Sequence, residues 1–190
     1  QRRVDDAHYV RLIRTGASFR LIAVAAKHEG CSVLGMTTEH LQVHSRSPED
    51  TARLATALAP VLKPGDVVLL DGPIGAGKSH FTRAAILCRL PVPEDIPSPT
   101  YTIVQTYLTP DAESWHAELY RLGDPVAVHE IGLWAAFEDA ICFVESPDRL
   151  GTQAPGSALL VSFSPQPQEE SRLLTLSWSD PKWQSRLKGV

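Results

Sequence analysis

Four consecutive apolar residues, Val67-Val68-Leu69-Leu70, run into Gly72-x-x-x-x-Gly77-Lys78-Ser79, and a helix-like segment from Phe81 to Leu90 follows at once. Strand, glycine-rich loop and helix in that order form the context in which such a loop cradles phosphate. Each residue type has a physical reason. Gly72, Gly75 and Gly77 let the backbone take positive φ and bring its N–H groups close to phosphate oxygens. Ile74 and Ala76 complete the cradle between them. The following helix points the positive end of its dipole at the same anion. Lys78 supplies a mobile point charge for β- and γ-phosphates, and Ser79 a hydroxyl for Mg2+.

At 190 residues the chain fits one domain with one core. Its formal charge of −4 gives no net attraction to nucleic acid or to an anionic membrane. No apolar run approaches the ~20 residues of a membrane span. Cys31, Cys88 and Cys142 are few, odd in number and widely spaced, which suits a reducing, cytoplasmic setting better than a disulfide framework. Cys88 and Cys142 stand in apolar contexts and are expected to be buried as small hydrophobes. His40 and His44 sit four apart in an alternating stretch and need not share a face. The four tryptophans are too dispersed to suggest a stacking platform, and each is expected to pack in or at the edge of the core.

Residues 1–35 read differently. They hold six basic residues against three acids, a net of +3, so residues 36–190 carry −7. The chain opens on Gln1, and its only methionine is Met36. The segment is read as an N-terminal extension, disordered or lying upstream of the true start; a basic arm and a targeting segment are the other readings. No apolar h-region marks a secretory signal. The functional domain is assigned to residues 36–190.

Along that domain, Glu39–Ser45 alternates as a strand does. Ser47 is placed as a helix N-cap, with Pro48 at N1 and Asp50 at N3. Leu54, Leu58 and Val61 form the helical stripe, which Pro64-Gly65 ends. Four prolines between Pro91 and Pro99 exclude a helix and deliver Ser98-Pro99-Thr100-Tyr101-Thr102 as a loop. Tyr101–Leu108 is read as a strand with Trp115–Tyr120 as its antiparallel neighbour. Asp124-Pro125 caps a helix through Glu130, Gly132 breaks it, and Leu133–Phe137 forms another. Ala140–Val144 is a buried strand. Ala158–Phe163 and Arg172–Trp178 are late antiparallel strands, and Asp180–Leu187 closes as a short helix.

A phosphate-binding loop needs an acid for metal and water, and two stand at strand ends. Glu145 follows Ile141-Cys142-Phe143-Val144 and can hold Mg2+ directly or through water, or be a surface carboxylate after a strand. Glu118 can orient the attacking water or act as base, or simply pair with Arg121. Thr100 can sense the γ-phosphate through its hydroxyl, or merely begin a strand. Arg121 can stabilise transition-state charge or make a structural ion pair.

Together, Gly72-Pro-Ile-Gly-Ala-Gly-Lys-Ser79, Ser98-Pro-Thr-Tyr-Thr102, His116-Ala-Glu-Leu-Tyr-Arg-Leu122, Glu130-Ile-Gly-Leu133 and Ile141-Cys-Phe-Val-Glu-Ser-Pro147 resemble the TsaE (YjeE) family in order and spacing. The likeness covers roughly Thr37 to Trp178. The Ser-Pro-Thr-Tyr and Leu-Tyr-Arg-Leu elements are its most specific parts. It implies a single α/β domain of the P-loop NTPase fold, with a mixed central sheet of about seven strands flanked by helices. It also implies ATP and Mg2+ as ligands, weak ATPase activity alone, and assembly with the TsaD and TsaB proteins in making N6-threonylcarbamoyladenosine in tRNA. The tRNA is reached through the complex, and no membrane is involved. Lys78 and Ser79 match the family's phosphate and Mg2+ positions. Thr100 matches its switch threonine, Glu145 its acidic Mg2+ ligand and Glu118 the position proposed for hydrolysis. Ser47, Glu49 and Thr51 resemble its element near the adenine. Glu118 stands where the family usually has Asp. The extra methylene can shift a carboxylate by about 1 Å, enough to cost ~10²-fold in rate. Ser146 stands where the family usually has Trp. A small-molecule kinase on the same fold is one alternative, although Pro147–Gln168 contains only Arg149 where a lid needs arginines. A nucleotide-dependent assembly module with negligible hydrolysis is the other.

Overall fold

The computed structural model describes residues 13–15, 18–20, 38–99, 101–122 and 125–190. Two short strands, β1 (Ile13–Thr15) and β2 (Ser18–Arg20), pair antiparallel within the N-terminal segment. The rest of that segment, with the reading of residues 1–35 as an extension, lies outside the described residues.

A seven-stranded mixed sheet forms the centre. Its strands are β3 (Glu39–Ser45), β4 (Val67–Asp71), β5 (Val104–Leu108), β6 (Glu113–Glu118), β7 (Ile141–Glu145), β8 (Leu159–Pro165) and β9 (Arg172–Trp178), in the spatial order β3-β9-β8-β4-β7-β6-β5. The four middle strands, β8, β4, β7 and β6, run parallel. The flanking strands β9 and β5 are antiparallel to their neighbours, and β3 is antiparallel to β9. β4 and β7 are continuous apolar runs because helices cover both of their faces. β3 alternates, with Leu41 and Val43 inward and His44 exposed. The expected strand count, both antiparallel hairpin pairs and the single-domain P-loop architecture are all present.

Helix α1 (Pro48–Leu58) begins as the sequence predicts: the Ser47 side chain accepts from the Asp50 N–H and Pro48 occupies the first turn. It ends three residues before Val61, where Ala59–Val61 tightens into a 3-10 turn around Pro60. Helix α2 (Lys78–Arg89) packs against α1 on one face of the sheet, and Phe81, Ala85 and Ile86 join Leu54, Leu58, Val68 and Phe143 in one core. The opposite face carries a second core, in which Leu119, Val128 of α3 (Pro125–Glu130), and Leu133 and Ala136 of α4 (Leu133–Asp139) cover Cys142 and Val144. Gly132 separates α3 from α4 at φ 76°, as the break at that glycine predicts. Asp124, the proposed cap of α3, lies outside the described residues.

The last helix, α5 (Pro181–Arg186), is pinned to the strand-start end of β4. Asp66, buried there, pairs with Lys182 at 3.0 Å and with Arg186, and accepts the Lys63 N–H at 2.8 Å. Trp183 is wholly buried, with its indole N–H donated to the Ser157 carbonyl at 2.8 Å. No described helix is long and apolar enough to cross a membrane.

Two readings need correction. Strand β5 starts at Val104, not Tyr101. Ile103 takes a left-handed φ of 65°, and its N–H closes a turn onto the Pro99 carbonyl at 2.8 Å, so the chain turns before it extends. Cys88 is exposed rather than buried. The buried face of α2 is Phe81, Thr82, Ala85 and Ile86, and a residue two positions after Ile86 falls off that stripe.

Candidate functional site

Parallel strands in one sheet end at one edge, and ligands of open α/β sheets bind outside their carboxyl ends. Here that edge carries the glycine-rich loop after β4, with Glu145 ending β7 and Glu118 ending β6. The register aligns them: Leu70 of β4 is opposite Glu145 of β7, and Glu145 is opposite Glu118 of β6. Side chains aligned across a parallel pair share a face. Ile141 and Phe143 pack in the same core as α2, so Glu145 and its row-mate Glu118 continue toward the side where the loop's helix starts.

The loop itself is held by its glycines. Gly72 has φ 143°, and a Cβ there would lie 2.7 Å from the Phe163 carbonyl oxygen and 2.9 Å from the Phe163 Cβ. The loop therefore touches β8 in a way only glycine permits. Gly77, at φ 103°, leads into α2. Lys78 is buried, and its ammonium donates to the Gly72 and Pro73 carbonyls at 2.7 and 3.0 Å. Ile74 stands out at the loop tip, 85% exposed, Gly75 is open to solvent beside it, and Ala76 is buried. Ser79 lies in the first turn of α2, half-buried.

The two acids differ in setting. Glu145 is 2% exposed and accepts from His116 Nε2 at 2.8 Å, with His116 equally buried. Glu118 is half-buried; its Oε1 accepts from the Tyr120 N–H at 2.9 Å and from the Ser146 hydroxyl at 2.8 Å. The Glu118 N–H is donated to the Ile103 carbonyl at 2.8 Å, which ties this strand end to the proline-rich loop. Thr100, the proposed switch residue of that loop, lies outside the described residues.

Ser47, Glu49 and Thr51 gather at the start of α1, at the same sheet edge. Hydrogen bonding to the Ser47 side chain holds the exposed Glu49 carboxyl below its ordinary range. Thr51 is wholly buried, its hydroxyl 2.7 Å from that of Ser45. The corner is joined to the loop's helix by His80 Nε2, 2.9 Å from the Pro48 carbonyl oxygen.

Sequence reasoning missed two residues here. His116 is one: a lone histidine in a strand carries no signal until the register places it diagonally from Glu145. Arg172, the first residue of β9, is the other. Its guanidinium donates to the Ala76 carbonyl at 3.2 Å, although nearly a hundred residues separate it from the loop.

The residues suit an anion with a hard cation. Among the described residues neither Lys78 nor Arg172 forms an ion pair, so two positive charges border the loop while bonding only to neutral carbonyls. Ser79 and Glu145 offer hydroxyl and carboxylate oxygens, the donor type Mg2+ takes. His116 Nδ1 is buried without a partner, a polar atom left over beside Glu145.

The family described as Threonylcarbamoyl adenosine biosynthesis protein TsaE matches residues 45–174. A Rickettsia bellii protein named tRNA threonylcarbamoyladenosine biosynthesis protein TsaE is 39% identical over 99 residues, covering 52% of this chain and 69% of that one. The Bacillus subtilis protein of the same name is 32% identical over 124 residues, covering 65% and 77%. The crystal structure of Bacillus subtilis YdiB superposes with a TM-score of 0.69 at 23% identity, over 81% of this chain and 95% of that chain, and so shares the fold. A glycine-rich loop on this sheet, two aligned acids at its edge and a family match spanning more than half of the chain place it in the TsaE family.

Proposed function

We propose that the chain binds Mg-ATP at Gly72–Ser79 and hydrolyses it as the ATPase subunit of the assembly that makes N6-threonylcarbamoyladenosine in tRNA, acting with TsaD and TsaB in the cytoplasm. The carrying observation is the row of Leu70, Glu145 and Glu118, which sets two carboxylates beside the phosphate loop on the face of its helix.

Lys78 is already aimed across the loop's opening. On nucleotide binding its ammonium exchanges the carbonyls of Gly72 and Pro73 for β- and γ-phosphate oxygens. Ser79 and Glu145 would hold Mg2+, which when bound offsets charge on the phosphate oxygens. Glu118, next to Glu145 and partly open, orients the attacking water and accepts its proton. Thr100 is assigned to sensing the γ-phosphate, and Ser47, Glu49 and Thr51 to the adenine side. The conformational output is passed to TsaD and TsaB, and tRNA is met only through them.

A second reading, an assembly module with negligible hydrolysis, draws on one observation: Glu118 Oε1 already accepts two hydrogen bonds, which restrains the group assigned to water. Reconstitution with TsaD, TsaB and a TsaC-type synthase separates the readings from a role outside the pathway. Many modified tRNAs per complex with this chain, and one without it, is the expected result. Equal counts would remove it from the pathway.

A further inference from the structure

The order of strands says which way a nucleotide lies, and it exposes a residue with no role so far. Taking the nucleotide reading above as given, the reacting γ-phosphate end faces the acids, which stand on β7 and β6, to one side of β4. The nucleoside must then extend to the other side, over β8, β9 and β3. Of these, β9 alone runs against the parallel strands and so brings its first residue, Arg172, to the site's edge, beside Ser45, the last residue of β3. Arg172 pairs in register with both Ser45 and Pro165. It therefore sits between the phosphate loop and the Ser45–Thr51 corner.

The geometry points to Arg172 as a nucleoside-recognising residue, its guanidinium plane lying against the face of the purine base. Three observations support this. Its charge is uncompensated: NH1 donates to the Ala76 carbonyl at 3.2 Å and NH2 to the Glu170 carbonyl at 2.9 Å, and no carboxylate among the described residues pairs with it. A cation held this way keeps its affinity for a π face or an anion. It is also pre-placed. Glu170 takes a left-handed φ of 58°, and the hairpin loop before it is closed by the Gln166 N–H to the Ser171 carbonyl at 2.9 Å and the Ser171 N–H to the Gln168 carbonyl at 3.0 Å. That turn directs the Glu170 carbonyl onto the guanidinium. Finally, Arg172 binds the far end of the loop from Lys78: Lys78 holds the carbonyls of Gly72 and Pro73, Arg172 that of Ala76, next to Gly77, where an added Cβ would lie 2.3 Å from NH1. The two cations thus divide the loop, one at its phosphate-entry end and one at its nucleoside end.

The test is calorimetric titration of the full chain, wild type, Arg172→Ala and Arg172→Lys, with Mg-ATP, Mg-ADP and Mg-tripolyphosphate, which keeps the phosphates and lacks the nucleoside. Arg172→Ala is expected to weaken ATP and ADP alike by about 10-fold while changing tripolyphosphate by less than about 2-fold. Arg172→Lys keeps the charge and loses the plane, so it should recover little of the loss, and it carries the comparison if the alanine variant does not fold. Equal weakening of tripolyphosphate would overturn the inference and make Arg172 a phosphate or loop-bracing residue. Unchanged ATP affinity in both variants would overturn it as well. Failure of the wild-type chain to take up ATP would instead sink the nucleotide reading on which this one rests.

Discussion

The Ser146 hydroxyl donates to Glu118 Oε1 at 2.8 Å, which ties the residue after Glu145 to the carboxylate that lies opposite Glu145 in the sheet. Ser146 reaches there from a left-handed φ of 57°, immediately after Glu145. Together with the Tyr120 N–H, this hydroxyl fixes the Glu118 carboxylate. Glu118→Gln is expected to lower ATP turnover by about 10²-fold with ATP affinity unchanged, as loss of a general base does. Ser146→Ala leaves only the Tyr120 N–H on Oε1 and is expected to lower kcat by about 10-fold at constant KM. Steady-state phosphate release by the assembled complex reads both. A rise in KM with kcat preserved would assign the pair to binding.

The phosphate loop's glycines should differ in their tolerance of a methyl group. At Gly72 the new Cβ meets the Phe163 backbone at 2.7 Å in addition to the strain of φ 143°, whereas at Gly75, φ 80°, nothing lies within 4 Å. Gly72→Ala is expected to destabilise the fold by about 2–4 kcal/mol and Gly75→Ala by about 1 kcal/mol. Thermal unfolding of the two variants measures the order, and a larger loss at Gly75 would contradict the contact of this loop with β8.

The two cysteines within the domain should separate cleanly by reactivity. Burial pushes the Cys142 thiol up from about 9 to about 12, while Cys88 is exposed. In a chain carrying Cys31→Ser, one thiol is expected to react with an aromatic disulfide at neutral pH, and the second only on unfolding. The raised value also has a stability consequence. The folded state holds the Cys142 proton more tightly than the unfolded chain, so the contribution is complete below pH ~9. It declines by about 1 kcal/mol per pH unit as pH rises toward ~12. Denaturant midpoints of wild type and Cys142→Ala between those limits should converge as pH rises.

Asp66 supplies a control far from the chemistry. It stands at the opposite end of β4 from the loop, joined to Lys182 and Arg186 of α5. Asp66→Ala leaves the Lys63 N–H without its acceptor and frees α5. It is expected to cost about 2–3 kcal/mol of stability and to leave nucleotide affinity unaltered. Chemical denaturation with parallel ATP titration checks both halves.

What was legible in the sequence follows from where the information sits. β4, the loop and α2 are contiguous, and each announces itself by an apolar run, glycine spacing or helical stripe. β7 and its terminal Glu145 are likewise local. The apposition of Glu118 with Glu145, the His116–Glu145 hydrogen bond and the reach of Arg172 to Ala76 all depend on strand order and register, which are non-local and leave no mark in any short window. Cys88 is exposed for a different reason. Ile86 and Leu87 before it are apolar, but the buried stripe of α2 passes through Phe81, Ala85 and Ile86 and misses it. The β-branched and aromatic residues from Tyr101 onward favour a strand. A backbone hydrogen bond from Ile103 to Pro99 overrode that propensity.

Lys78 and its loop are proposed to serve ATP hydrolysis within the TsaD–TsaB assembly. Phosphate release by that assembly, made with wild-type chain or with Lys78→Ala, tests this role most directly. Turnover is expected with the wild type, and a fall of at least about 10²-fold with Lys78→Ala. Equal rates from the two assemblies would contradict it and leave a nucleotide-dependent assembly module in its place.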